Sequence, residues 1–208
     1  MRPLPALIFL SMLIAGCDPA SHTNAPTLPI IGEKSVSGAD TVYHTIQPFF
    51  FTNQYHENIT EKTIENKIYV ADFFFATCQS ICPQMSSQLV HVQNAFKTDK
   101  DVLILSHTVN PMHDTVEVLN GYAQSYGAIK DKWHFLTGSK KEIYALAKDS
   151  YLVNALQDDG TPEGFLHSEL FILIDTHKRI RGMYDGTDSV AVKKLIEDIK
   201  LLKQEKNS

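Results

Sequence analysis

Ile68-Tyr69-Val70-Ala71-Asp72-Phe73-Phe74-Phe75-Ala76-Thr77-Cys78-Gln79-Ser80-Ile81-Cys82-Pro83 is an apolar run that ends in two cysteines and a proline. The apolar character of residues 68–75 predicts a strand covered on both faces. Met85, Leu89, Val92 and Phe96 then recur at helical spacing, which predicts a helix to about Lys97. Pro83 suits the first turn of that helix, where a missing N–H costs nothing. Both thiols therefore lie where a buried strand turns into a helix, and the positive end of the helix dipole favours thiolate there. Thiolates are nucleophiles, redox partners and ligands for soft metals. The site is redox-active, metal-binding or both.

The spacing narrows the chemistry. A thioredoxin-type pair has two residues between its cysteines, whereas this pair has three. One helical turn brings positions i and i+4 to one face, so both sulfurs can address one ion. A disulfide across the turn also stays open. The plain alternative is a pair of buried structural cysteines, which would not need the strand–Cys–Cys–Pro–helix setting.

Outward from this stretch, strands and helices alternate. Pro48 to Thr52, a polar turn at Tyr55–Asn58, and Ile59-Thr60 read as a hairpin leading into the domain. Downstream come a strand at Val102–Ser106, a helix from Val116 to Tyr126 ended by Gly127, a short strand at Trp133–Leu136 and a helix from Lys141 to Tyr151. Glu169–Asp175 and Ile180–Tyr184 form a hairpin, and Val190–Lys203 an amphipathic closing helix. This order implies an α/β sandwich with a mixed sheet.

The N-terminus reads as an export signal: Arg2, a short apolar stretch from Leu4 to Ile14, then Ala15-Gly16-Cys17. This resembles a bacterial lipoprotein box, with Cys17 as the acylated residue; an ordinary signal peptide is the alternative. Residues 1–16 are then signal, 17–45 a lipidated flexible tether rich in Pro, Ser, Thr and Asn, and 46–208 the folded domain. The expected location is the cell envelope, membrane-anchored through lipid and facing the periplasm. Of three cysteines, only Cys78 and Cys82 then remain as thiols, which rules out a structural disulfide framework. The formal charge of −5 with no long Lys/Arg run argues against nucleic acid as a partner.

Among nine histidines, His167 stands out. It sits at the mouth of the strand that starts near Glu169, after a loop rich in Asp and Gly. His22, His44, His56, His91 and His177 read as tether, turn or solvated positions.

These motifs together resemble the Sco/SenC family. Cys78-Gln79-Ser80-Ile81-Cys82-Pro83 is similar to its Cys-x-x-x-Cys-Pro, and Val109-Asn110-Pro111-Met112-His113-Asp114-Thr115 to its Val-Asp-Pro-x-Arg-Asp-Thr. Trp133-His134-Phe135-Leu136-Thr137-Gly138 and Leu166-His167-Ser168 match two further family patterns in order, from about Pro48 to Lys200. The resemblance implies a thioredoxin-like three-layer sandwich with an N-terminal β-hairpin. It also implies copper as the metal, with Cys78, Cys82 and His167 as ligands. Function by resemblance is delivery of copper, without turnover, to the dinuclear copper centre of cytochrome c oxidase during its assembly. The partners it implies are the copper-centre subunit of cytochrome c oxidase and, beyond it, other copper chaperones or thioredoxin-like reductases. Two thiolates suit Cu(I), and an added imidazole accommodates Cu(II); zinc competes on ligand type.

Two residues depart from the pattern. Asn110 replaces an Asp and His113 an Arg. Asn110 and His107, at the end of its strand, are the candidates for a supporting role around the metal ligands. Other readings are a thiol–disulfide reductase that keeps target cysteines reduced, or a copper or redox sensor. A peroxiredoxin-like peroxidase fits poorly, because the residues three before Cys78 and Cys82 are Phe75 and Gln79, not Thr.

Overall fold

The apolar run forms β5 (Ile68–Phe74), an inner strand of a seven-stranded sheet in the computed structural model of the protein, with all its residues buried. The structure describes residues 27–38, 40–153 and 168–206. A small antiparallel hairpin, β1 (Lys34–Ser37) and β2 (Asp40–Tyr43), precedes the sheet. There follow β3 (Phe50–Asn53), β4 (Asn58–Thr60), β5, α1 (Ile81–Ala95), β6 (Val102–Thr108), α2 (Val116–Ser125) and β7 (Trp133–Thr137). Then come α3 (Lys140–Ala145), β8 (Leu170–Ile174), β9 (Ile180–Asp185) and α4 (Ser189–Lys206).

The sheet order is β4-β3-β7-β6-β5-β8-β9. β5, β6 and β7 are parallel, as α-helical crossovers require. β3 and β8 run antiparallel to their neighbours, so the sheet is mixed. Alternation along β5 sorts its side chains to two layers. Phe74 meets Tyr122 of α2, whose hydroxyl bonds Ser86 of α1 at 2.9 Å. Tyr69 and Phe73 point to the opposite face, against Tyr151 after α3. α4 returns to pack on α1 and β9. This is the expected thioredoxin-like three-layer α/β arrangement, with the β3–β4 hairpin at one sheet edge.

Two expectations need correction. Composition predicts a flexible tether through residue 45, but Leu28 to Ile31 dock against β9, and Ile46 docks on the turn before it. Ile31 bridges Ile180, Ile46 N–H bonds the Lys178 carbonyl, and the His44 ring donates to the Ser150 carbonyl at 2.7 Å. The buried Arg181 guanidinium holds the carbonyls of Leu28 (2.6 Å) and Pro29 (3.0 Å) while pairing with Asp175 and Glu205. A remote arginine supplies what local composition lacks. Second, the helix predicted to Tyr151 stays α-helical only to Ala145 and widens to a π turn at Leu146–Ser150, closed by Tyr151 N–H to the Leu146 carbonyl at 3.0 Å. No helix among the described residues is long and apolar enough to cross a membrane.

Candidate metal and redox centre

Cys78 lies in the turn leaving β5, and Cys82 is the second residue of α1. Contrary to the sequence expectation, one helical turn does not align the sulfurs, because α1 starts only at Ile81. The turn itself joins them. Cys78 N–H bonds the Phe75 carbonyl at 3.2 Å, and Cys82 N–H then donates to Cys78 Sγ at 3.5 Å. Ser80 Oγ stands 3.6 Å from the same sulfur. Both thiols are free and almost fully covered.

Their acidities split. Burial works to raise the Cys78 thiol, but the Cys82 amide and thiol and the Ser80 hydroxyl stabilise its thiolate more, and the net shift is downward. Burial pushes the Cys82 thiol well up; the neighbouring Cys78 and Asp72 add to this, against an opposing bond at Phe75. The helix terminus therefore favours thiolate at Cys78 only, which corrects the expectation for Cys82.

Two groups around the thiols carry no strong signal in the sequence. Asp72 is buried inside β5, where burial raises its carboxyl to about 7 against the opposing Ser106 hydroxyl bond. That hydroxyl donates to Asp72 Oδ1 at 2.5 Å and accepts from Trp133 Nε1 at 2.9 Å. An Asp within an apolar strand was the available hint. Asp114 is fully buried and accepts the Ala76 N–H (3.1 Å), the Thr108 hydroxyl and the His113 ring (Nδ1 2.9 Å). It ties the cysteine turn to the loop after β6.

The remaining candidates divide. Asn110 belongs to that loop: its N–H bonds Thr108 Oγ1 (3.0 Å) and its carbonyl accepts from His113 and Asp114. These are backbone bonds, which any residue could make. His107 does not turn toward the thiols. It stacks on Phe73, on the sheet face opposite Asp72 and Ser106, with Phe49, Phe51 and Tyr151 around it. Neither ring nitrogen has a hydrogen-bond partner among the described residues, and burial lowers its pKa to about 3. His107 therefore packs in the aromatic layer on the far face of the sheet and does not support the cysteines. A cavity of about 710 Å³, lined by Phe49, Phe51, Lys62, Glu142 and Ser150 among others, includes no residue of the cysteine turn.

His167 and Cys17 lie outside the described residues. Ser168, the next residue after His167, is buried, and its hydroxyl caps Leu170 N–H at 3.3 Å. β8 runs antiparallel to β5 with Ala71 opposite Ile172, so the chain enters β8 beside the end of β5 from which the cysteine turn departs. No cluster of three or more His, Cys, Asp or Glu able to hold a metal exists among the described residues.

A model of the SCO1/SenC family matches residues 38–204, nearly the whole folded region. The chain belongs to the SCO1/SenC family. Its relatives of known structure include a SCO1/SenC family lipoprotein from Bacillus anthracis, 31% identical, with 77% of this chain and 95% of that one aligned at a TM-score of 0.68. BsSco, a member of the Sco family of cytochrome c oxidase assembly proteins in which a disulfide switch has been identified, is 30% identical over 77% of this chain and 94% of its own, at a TM-score of 0.67. Copper-bound ScoI from Arabidopsis thaliana is 26% identical over 76% of this chain and 98% of its own, at a TM-score of 0.61.

Proposed function

We propose that this SCO1/SenC protein carries copper on Cys78 and Cys82, with His167 as third donor, and delivers it to the dinuclear copper centre of cytochrome c oxidase. The observation that carries this reading is the pair of free thiols held at one turn, Cys82 N–H on Cys78 Sγ, in a family with a copper-bound relative. Soft sulfur donors suit Cu(I) as cargo. His167 is proposed as third donor on the match of Leu166-His167-Ser168 to the family pattern, and the burial of Ser168, where the chain enters β8, supports this. Binding must displace the Cys82 proton, so uptake strengthens with pH. Near-complete burial of both sulfurs shields them from bulk solvent. Cys17 is the proposed lipid anchor on the envelope face of the membrane, a reading supported by the lipoprotein relative.

A second reading has its own support. One acidic and one reluctant thiol is the division of labour of a dithiol reductase, and a disulfide switch is described for BsSco. Cells carrying His167→Ala, Cys78→Ser or Cys82→Ser separate the two. Delivery predicts loss of oxidase activity in all three at limiting copper, with added copper rescuing only His167→Ala. Normal oxidase in His167→Ala, with both cysteine variants dead, makes reduction the function instead.

A further inference from the structure

The loop after β6 holds a second set of soft-metal donors. Met112 is 87% exposed, so its thioether is open to solvent. Beside it the half-exposed His113 places Nδ1 2.9 Å from Asp114 Oδ1. The other oxygen of that carboxylate already accepts the Thr108 hydroxyl and the Ala76 N–H. A carboxylate only accepts, so Nδ1 is the donor and Nε2 is the ring nitrogen left to address a metal. A carboxylate behind an imidazole is the pairing that orients metal-binding histidines.

The backbone holds this pair still. His113 N–H and Asp114 N–H both bond the Asn110 carbonyl, at 3.0 and 2.9 Å, and Asn110 N–H bonds Thr108 Oγ1. Because the His113 ring and the Ala76 N–H share one carboxylate, the pair stands at the wall of the cysteine turn, two residues from Cys78.

We propose that Met112 and His113 form a capture site for Cu(I) at the rim of the dithiol centre. The inference rests on the copper reading above. Thioether and imidazole are soft to borderline donors that suit Cu(I). Met112 and His113 stand exposed at the rim, while both thiols are almost fully covered, so an arriving ion meets this pair first. One thioether and one imidazole hold Cu(I) less tightly than two thiolates, so transfer to the cysteines runs downhill.

The test titrates the full chain with Cu(I), kept reduced, and with redox-inert Ag(I), in wild type and in the Cys78→Ser/Cys82→Ser variant. NMR follows the Met112 methyl and His113 ring signals. In the cysteine variant one weak equivalent should shift both, and Met112→Leu/His113→Asn should abolish the shift. His113→Asn retains a side-chain N–H for Asp114, so the loop keeps its anchor. With the cysteines present, Met112→Leu/His113→Asn should slow Cu(I) loading about tenfold while leaving final affinity against a chelator unchanged. Unshifted Met112 and His113 signals in the cysteine variant, or unchanged loading rates, overturn the inference. If wild type takes up no Cu(I) at all, the copper reading itself fails.

Discussion

Asp72→Asn is the substitution whose outcome the structure fixes most closely. It keeps the side chain's shape and an oxygen to accept the Ser106 hydroxyl, and removes only the charge. Burial raises the Asp72 carboxyl from 3.8 to about 7. The folded protein thus holds this proton more tightly than the unfolded chain. The associated stability is fully present below about pH 4 and is lost as pH rises through 7. Three pK units correspond to about 4 kcal/mol, the cost of an ionised Asp72 in the native state at pH 8. The new amide N–H lacks an assured partner and returns about 1 kcal/mol of this. The variant should therefore be about 3 kcal/mol more stable than wild type at pH 8, with the gain gone near pH 4. Urea unfolding of the reduced protein at pH 4, 6 and 8 measures it, with the slope checked for constancy. A stability difference that does not change with pH, or a loss at pH 8, refutes the argument. Removing the charge should also lower the Cys82 thiol, to which Asp72 contributes.

Three further outcomes follow from the same geometry. Iodoacetamide should modify Cys78 first, with a rate profile midpoint below that of an ordinary thiol, while Cys82 reacts only in alkali or on unfolding; equal rates at pH 7 by mass spectrometry would contradict the split. Asp114→Ala strands the Ala76 N–H, the Thr108 hydroxyl and the His113 ring, and should cost about 3 kcal/mol, read as a fall of about 10 °C in Tm. Arg181→Ala leaves the buried Asp175 and the nearby Glu205 unpaired and releases Leu28 and Pro29. It should cost about 3 kcal/mol and open a new protease cleavage site ahead of β1, detectable by N-terminal sequencing.

What the sequence reveals depends on how local the physics is. β5 and the buried face of α1 announce themselves through an apolar run and a helical period, because each is set by burial alone. The cysteine turn follows from the junction between them. The docking of Leu28 and Ile31 is invisible in composition, since it depends on Arg181 far along the chain. The π turn at Leu146–Ser150 adds one residue to a helical turn whose pattern otherwise looks regular. Opposite acidities for Cys78 and Cys82 come from burial, which raises Cys82, and from the Cys82 N–H reaching the Cys78 sulfur, neither of which spacing encodes. One step of strand alternation decides His107: its neighbour Ser106 faces Asp72, and His107 faces Phe73 on the other side of the sheet.

The docked N-terminal segment gives the molecule a polarity. Ile31 meets Ile180, which lies level with Ile174 and, through it, with Tyr69 at the start of β5. The thiols leave from the other end of β5, about 23 Å away along its seven residues. If Cys17 is the anchor, ten residues, 18–27, separate it from Leu28, and a fully extended chain of that length spans at most about 35 Å. The domain would then ride close to the bilayer with its tethered pole down and its sulfur pole turned toward whatever stands above the membrane surface.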